Sequence, residues 1–425
     1  MRHARDEHPE WRGVGCVAEP ADAYYIAGPR IRLRLSVLYH AWVRPKHRAG
    51  ETQMDQIPAA DIRSQNRGLI RELRAAFERV LLEDEAILGA ALTDFEQAFS
   101  RWIGVSHGVG VGNGTDALIV ALRAVGVGVE KGDEVLVPSN SYPASVLAVL
   151  GVGATPILVE PTPADHCIDP DVAADAITER TRAIVPVHTF GLPADMERLR
   201  ELAEAHDLRI VEDAAAAHGA EFGGAKVGSL GDVACFSFHP RKTLGAIGDA
   251  GAVTTDSDEI AARLRGLRDF GRGPKGVWGE RAWNTRMDTL QAALLRVKLA
   301  HVDGWIRRRR EIAERYQAAF EGLTIGLPVE TEERRHGWTQ YVIRIDAARR
   351  GGLRAALAES GVQTSVPYPA LAHLQPAFAE LGWRAGCCPR AEELASESLS
   401  LPIYPEMSDA QQDRVVESVR KALKV

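Results

Sequence analysis

No stretch of apolar residues in this chain approaches the roughly 20 needed to span a bilayer as a helix. Cysteine is scarce as well. The five present, Cys16, Cys167, Cys235, Cys387 and Cys388, are odd in number and contain no CxxC pair. That argues against a disulfide framework and against a zinc site, and the adjacent Cys387 and Cys388 read as incidental. Positive charge is not in excess, since the formal net charge is -7. A nucleic-acid binder needs a basic face, so that class is set aside; small anionic ligands need only local positive charge. The first twelve residues are polar and mixed in charge, unlike a secretory leader. The expectation that follows is a cytoplasmic protein. Internal repeats and low-complexity linkers are also missing.

What is present suits a packed α/β protein. Hydrophobic residues make up 45% and charged residues 26% of 425 positions, enough for one large unit and a smaller companion. Residues 1–53 stand apart, mixing Arg, Pro, His and Gly with one short apolar patch, Ile31 to Trp42. They read as an extension that is flexible or not native, because orderly helical spacing begins only after Met54. Apolar residues from Ile62 to Phe99 recur at helical spacing and predict two packing helices broken near Glu83–Glu85 and Gly89. Strand-like runs follow at Glu134–Val137, Pro156–Val159, Ala183–Val187, Leu208–Val211 and Val233–Phe238, several separated by helical stretches. This alternation predicts a mainly parallel sheet covered on both faces. After Asp249 the chain is expected to leave that sheet. A long helix is expected from Thr289 to about Phe320, with Arg307 to Arg310 on its solvated face or on a dimer rim. The expected domains are 54–300, the large unit, and 301–425, a smaller α+β unit.

Three places carry chemistry. His107 to Leu118 runs from a short strand through glycines into a helix opening near Thr115. Free N–H groups and a helix dipole there suit an anion, most often phosphate. The dinucleotide fingerprint fails, because Asn113 stands where its third glycine would be. Thr115 could equally be a simple cap. Leu208 to Asp213 ends a buried strand in two acids. Asp213 could meet a protonated pyridine nitrogen, or merely cap a helix starting at Ala214. Ser237 to Gly251 places Lys242 in a loop beyond the carboxyl end of a strand, where open α/β sheets bind ligands. Desolvation would lower the pKa of Lys242 and free its amine for a Schiff base with a carbonyl or with pyridoxal phosphate. Taken alone, Lys242 is an ordinary surface lysine.

In order, these features resemble the keto-sugar aminotransferases of the DegT/DnrJ/StrS group, fold-type-I enzymes that use pyridoxal phosphate. The matching segments are Asn113 to Leu118, Pro186 to His188 with Pro193 to Met196, Glu212 to Ala215, Ser237 to Gly251, Asn284 to Asp288 and Leu399 to Pro405. The resemblance covers about Gln56 to Lys424. It implies that Lys242 carries the cofactor and shuttles protons, and that Asp213 keeps the pyridine nitrogen protonated. It further implies that Gly114, Thr115 and Ser237 bind the phosphate and that Tyr142 stacks on the ring. Asn284 would reach the phosphate from the neighbouring subunit of a homodimer. The implied substrates are L-glutamate and a nucleotide-linked, dTDP-type keto-deoxysugar, with pyridoxamine phosphate as the carrier. His239, Arg241 and Tyr368 are candidate sugar contacts, and Arg241, Arg272 and Lys275 candidate cations for the diphosphate.

Three positions depart from the pattern. Ala216 stands where Gln or His usually contacts the ring oxygen, Ala250 where Gly is usual, and Pro367 where His is common. The competing expectations are an aminocyclitol or other ketone as acceptor, a related sugar dehydratase, and a non-catalytic cofactor-binding homologue. Lys242 speaks against the dehydratase, in which His replaces it. A dinucleotide-dependent dehydrogenase fits poorly, because Glu130, Asp133 and Glu134 precede the next strand instead of ending it.

Overall fold

A computed structural model describes residues 56–273 and 277–424. The expectation for residues 1–53 and the candidate Lys275 lie outside the described residues. The chain opens with α1 (Ile62–Gly68), α2 (Ile70–Glu83) and α3 (Ala90–Ile103). The next elements are β1 (His107–Val111), α4 (Gly114–Ala124), β2 (Glu134–Pro138), α5 (Pro143–Gly151) and β3 (Thr155–Val159). Then come α6 (Pro170–Asp175), β4 (Thr181–Ile184), α7 (Met196–Ala205) and β5 (Arg209–Asp213). The short strands β6 (Glu221–Phe222) and β7 (Ala225–Lys226) lead to β8 (Val233–Ser237) and β9 (Gly251–Thr255).

These strands build a seven-stranded sheet in the order β1-β9-β8-β5-β4-β2-β3. Only β9 runs against its neighbours; the other six share one direction, so their carboxyl ends form a single rim. The chain therefore does not leave the sheet after Asp249. It first returns through it as β9. The run Ala252 to Thr255 is buried on both faces, as an inner strand demands, and it pairs antiparallel with both β1 and β8.

Side chains alternate across the sheet. Leu136, Ile210, Ala234 and Phe236 pack on one face with α3 and α7. Val135, Val137, Val211, Val233 and Cys235 pack on the other with α4 and α5. The same period sends Glu212 to the first face and Asp213 to the second.

The remainder holds α8 (Asp258–Leu267), α9 (Thr289–Leu299), α10 (Val302–Phe320), β10 (Arg334–Arg335), β11 (Tyr341–Arg344) and α11 (Ala347–Glu359). It ends with α12 (Pro389–Glu397), β12 (Ser398–Leu401) and α13 (Asp409–Ala422). β11 and β12 pair antiparallel, and with α10, α11 and α13 they enclose a third core. The expected single helix from Thr289 to Phe320 is two. The N–H groups of Ala300 and His301 reach back three residues instead of four, which tightens the chain into a turn. The turn is needed because Leu295 of α9 belongs to the sheet core, whereas Ile312, Tyr316 and Phe320 of α10 belong to the third core. No helix among the described residues is long and apolar enough to cross a membrane.

The arginine run of α10 is not a solvated face. Only Arg307 is exposed. Arg309 is 5% exposed and donates to the carbonyls of Trp338 at 3.1 Å and Ile403 at 2.9 Å. Arg308 binds the carbonyl of Met407 and the carboxylate of Asp409, and Arg310 pairs with Glu330. The charge pattern had hidden a clamp between α10 and the loops around β12. Arg309→Met leaves those carbonyls buried without a donor, and it should destabilise the fold by about 2–4 kcal/mol. A urea unfolding midpoint equal to that of the parent would contradict this role.

Candidate active site

Four loops meet at the common rim. The loop after β1 enters α4, whose cap Asn113 accepts from the Asp116 N–H at 2.9 Å. The N–H groups of Gly114 and Thr115 lie in the first turn, where no intrahelical acceptor exists. Gly114 is pressed against the end of β8: a Cβ built on it would lie 2.7 Å from Ser237 Cβ. Backbone N–H groups, a hydroxyl and the positive end of a helix thus converge in a cradle that a methyl group would block. Thr285 fastens this loop from outside. Its hydroxyl donates to Asp116, its carbonyl accepts from the Gly112 N–H at 3.1 Å, and the exposed Asn284 precedes it.

Asp213 closes β5. The cap alternative fails, because residues 214–217 form a turn and not a helix. One carboxyl oxygen accepts from Ser145 Oγ at 3.0 Å and the other from the Ala215 N–H at 3.2 Å. No ion pair reaches Asp213 among the described residues. Burial raises its pKa, while the Ala215 N–H, the Ser145 hydroxyl and the charges of Lys242 and His188 oppose that rise. Its neighbour Glu212 points to the other face and is fully employed there. It accepts from the N–H groups of Gly228, Leu230 and Gly231 and pairs with His188 at 3.0 Å. Because His188 Nδ1 accepts from the Ala194 N–H, its Nε2 carries the proton toward Glu212. Of the two adjacent acids, Glu212 is fully employed within the fold and Asp213 has no ion partner among the described residues.

Lys242 lies five residues beyond β8 and is half-buried. Burial lowers its pKa below the usual lysine value; Asp213 opposes this and Arg241 adds to it. The loop around it is tightly held. Ala246 N–H donates to Phe238 O at 2.7 Å, Phe238 N–H to Ala250 O at 2.8 Å, and Lys242 N–H to His239 O at 2.8 Å. The buried Lys298 of α9 donates from Nζ to Gly245 O at 2.7 Å, and burial brings its own pKa down to about 8.

Tyr142, 63% exposed at the start of α5, faces Tyr368 with ring centroids 6.2 Å apart. Phe190 stacks on Tyr368 at 5.7 Å, and His166 meets Phe190 edge-on at 5.4 Å. Tyr142 is therefore not a core residue, and its ring is free to cover a ligand. Burial, with Asp213 and Tyr142 nearby, raises the pKa of Tyr368, so its phenol stays a neutral donor.

The structure thus gathers Gly114, Thr115, Ser237, Asp213, Lys242, Tyr142 and Tyr368 on one rim. Ala216, itself buried, lies in the turn after Asp213. His239 and Arg241 are exposed at its edge, and His239 Nδ1 accepts from the Arg241 N–H. Arg272 pairs with Asp269 at 3.3 Å and Asn284 bridges the same residue, so neither joins the cluster within one chain. Sequence reasoning missed Ser145, Phe190, His166 and His218. Ser145 carried a signal, a polar residue on an otherwise apolar helix three positions after Tyr142. His218 is fully buried with neither ring nitrogen partnered, and burial, Lys242 and Arg309 lower its pKa to about 3.

The residues fit pyridoxal phosphate. The cradle at Gly114 suits a phosphate, Asp213 is a buried carboxyl group without a cation, and the Lys242 amine makes no hydrogen bond among the described residues. Ser145→Ala should raise the Asp213 pKa further. Cofactor affinity should fall about threefold to tenfold at neutral pH, and the loss should deepen as pH falls, because a protonated Asp213 cannot pair with a pyridinium. Absorbance titrations with pyridoxal phosphate across pH measure this; parallel curves for parent and variant would refute it.

Comparison with known proteins agrees with this geometry. The family described as DegT/DnrJ/EryC1/StrS aminotransferases matches residues 69–420. The dTDP-3-amino-3,4,6-trideoxy-alpha-D-glucose transaminase of Streptomyces venezuelae is 44% identical over 374 residues, covering 88% of this chain and 98% of that protein. The crystal structure of S. venezuelae DesV in complex with a ketimine intermediate superposes with a TM-score of 0.84 at 44% identity, over 88% of this chain and 100% of that one. NtdA from Bacillus subtilis, solved with bound cofactor PMP, gives a TM-score of 0.81 at 30% identity, over 88% and 86% of the two chains. The fold is that of the pyridoxal-phosphate aminotransferases, and the chain belongs to the DegT/DnrJ/EryC1/StrS aminotransferase family.

Proposed function

We propose that this chain is a pyridoxal-phosphate-dependent transaminase that moves an amino group from L-glutamate to the ketone of a nucleotide-linked deoxysugar, of the dTDP class. The observation that carries the reading is that Lys242 and Asp213 stand on one rim without an ion pair, where burial lowers the pKa of the lysine and raises that of the acid. The dTDP-sugar named for the Streptomyces relative supports the acceptor class.

Pyridoxal phosphate, when bound, supplies the electron sink for breaking a C–H bond beside nitrogen. The chain supplies the rest. Gly114 and Thr115 N–H groups and the Ser237 hydroxyl hold the phosphate. Asp213, oriented by Ser145 and the Ala215 N–H, keeps a proton on the ring nitrogen. Lys242 Nζ takes the proton from the glutamate α-carbon, and in the second half-reaction it works in reverse at the sugar carbon. Its lowered pKa favours the neutral amine that this requires. Tyr142 covers the ring and Tyr368 donates to the sugar. His239 and Arg241, exposed at the mouth, face the diphosphate. Ala216 leaves out one polar contact to the ring oxygen.

We further infer a homodimer. Leu81 and Leu82 on α2 are 66% and 74% exposed, adjacent apolar side chains that a partner subunit would cover. Exposed Asn284, beside the phosphate loop, would serve a partner's site.

Two experiments test the reading. L-glutamate should bleach the visible absorption of the cofactor-loaded parent and release 2-oxoglutarate. Lys242→Ala should lose about two to four orders of magnitude in that rate. A cofactor-loaded parent inert to glutamate would favour a non-catalytic homologue or another donor. Mixing inactive Lys242→Ala with inactive Asn284→Asp should restore about a quarter of parental activity through hybrid dimers carrying one intact site. No recovery would refute the shared site.

A further inference from the structure

The segment after Tyr368 packs against the sheet core through Ala372 and Phe378 and builds a second polar cluster. His373 is completely buried, Cys388 is buried and Cys387 is exposed. One ring nitrogen of His373 and both sulfurs lie within 4.8 Å of one another. His373 Nε2 is engaged by Glu392 at 3.0 Å. That leaves Nδ1, which is buried and has no partner, as the ring nitrogen free to take a ligand. The same Glu392 oxygen accepts from the Gly386 N–H at 2.8 Å, so the carboxylate is fixed before the imidazole meets it. The absence of CxxC spacing had argued against a metal site; it could not show a histidine fourteen residues upstream.

We propose that His373 Nδ1, Cys387 Sγ and Cys388 Sγ bind one zinc ion, with a fourth position open to water on the exposed Cys387 side. The sulfurs are 3.7 Å apart. Two thiolates at Zn–S of about 2.3 Å on the edge of a tetrahedron stand about 3.8 Å apart, so the pair is already at the required bite. A buried imidazole with one nitrogen on a carboxylate and the other unpaired has the arrangement of a zinc ligand and its outer partner. Two thiolates and a neutral imidazole also suit this soft, tetrahedral ion better than they suit calcium or magnesium.

Binding converts two thiols to thiolates and releases two protons to solvent, with no change of oxidation state. Burial, with Cys387 and Glu160 alongside, pushes the Cys388 thiol up to about 12. Each thiol must lose its proton to bind the ion, so affinity rises with pH. The ion would also tie down the stretch that bears Tyr368. Leu371, Cys388 and Ala391 pack with Tyr368 in one small cluster, and Glu160, just after β3, accepts from the N–H groups of Arg390 and Ala391.

The test is metal analysis of the full chain, purified with a non-thiol reductant, loaded with excess Zn2+ and passed through a desalting column. About one zinc per chain should remain on the parent. It should be lost or weakened at least about tenfold by Cys387→Ser, by Cys388→Ser and by His373→Gln, and about tenfold by Glu392→Gln. Co2+ in place of Zn2+ should give near-ultraviolet thiolate-to-metal absorption that Cys387→Ser weakens. Cys387 is exposed, so that variant should keep its far-ultraviolet circular dichroism and its cofactor binding, which separates metal loss from unfolding. No retained zinc, zinc retained equally by both cysteine variants, or a disulfide between Cys387 and Cys388 in the purified protein would overturn the proposal.

Discussion

Withdrawing the Asp213 carboxyl from water at the end of β5 costs solvation that neighbours must return. Ser145 and the Ala215 N–H return part of it, and no cation pairs with it among the described residues. A group left in that condition is stable only if something positive completes it, and the rim is arranged around that need. Lys242 answers at a distance through its charge, which lowers the Asp213 pKa as Asp213 raises that of Lys242. Neither forms an ion pair that would consume the other. Direct contact would give a stable bridge and an occupied site; separation gives two groups that a ligand can join.

That separation needs rigid supports. The period of β5 sends Glu212 to the opposite face, where three N–H groups and His188 satisfy it. A one-residue slip in β5 would exchange the two acids and leave the site without its carboxyl group. The Lys242 loop is supported from α9 by Lys298, whose ammonium holds Gly245 O. Gly245 lies so close to Pro240 that a Cβ would stand 2.5 Å from its carbonyl oxygen. One buried lysine thus fixes the path of the loop that presents the other.

The sheet was legible in the sequence because periodic apolar runs are local signals, and the candidate site because the polar residues that end such runs matched a family pattern. Asp213, Ser237 and Lys242 stand where their runs end, and the structure brings them together. What was not legible depends on distant partners. The reversed strand β9 reads like any buried strand; its direction shows only in its pairing with β1 and β8. Arg309 looks like the rest of its run until α10 is laid against β12. Ser145, His218 and the meeting of His373 with Cys387 and Cys388 arise from residues remote in sequence, so no spacing rule reports them.

The reversed strand also explains why the phosphate cradle and the lysine loop act as one unit. β9 starts at the rim where the parallel strands end, and Gly251 pairs with both Val111 and Ser237. A Cβ at Gly251 would lie 2.4 Å from Asn113 O, so the turn that opens α4 rests directly on the residue that ends the Lys242 loop. The hydrogen-bond ladder therefore connects the strand that leads into α4, through β9, to the strand that carries Ser237 and launches Lys242. A displacement of either loop is transmitted to the other by backbone contact and not by flexible side chains. A ligand that must be gripped at its phosphate and at its reacting carbon together is best held by such a ladder, because the distance between the two grips is then set by the pleat of the sheet.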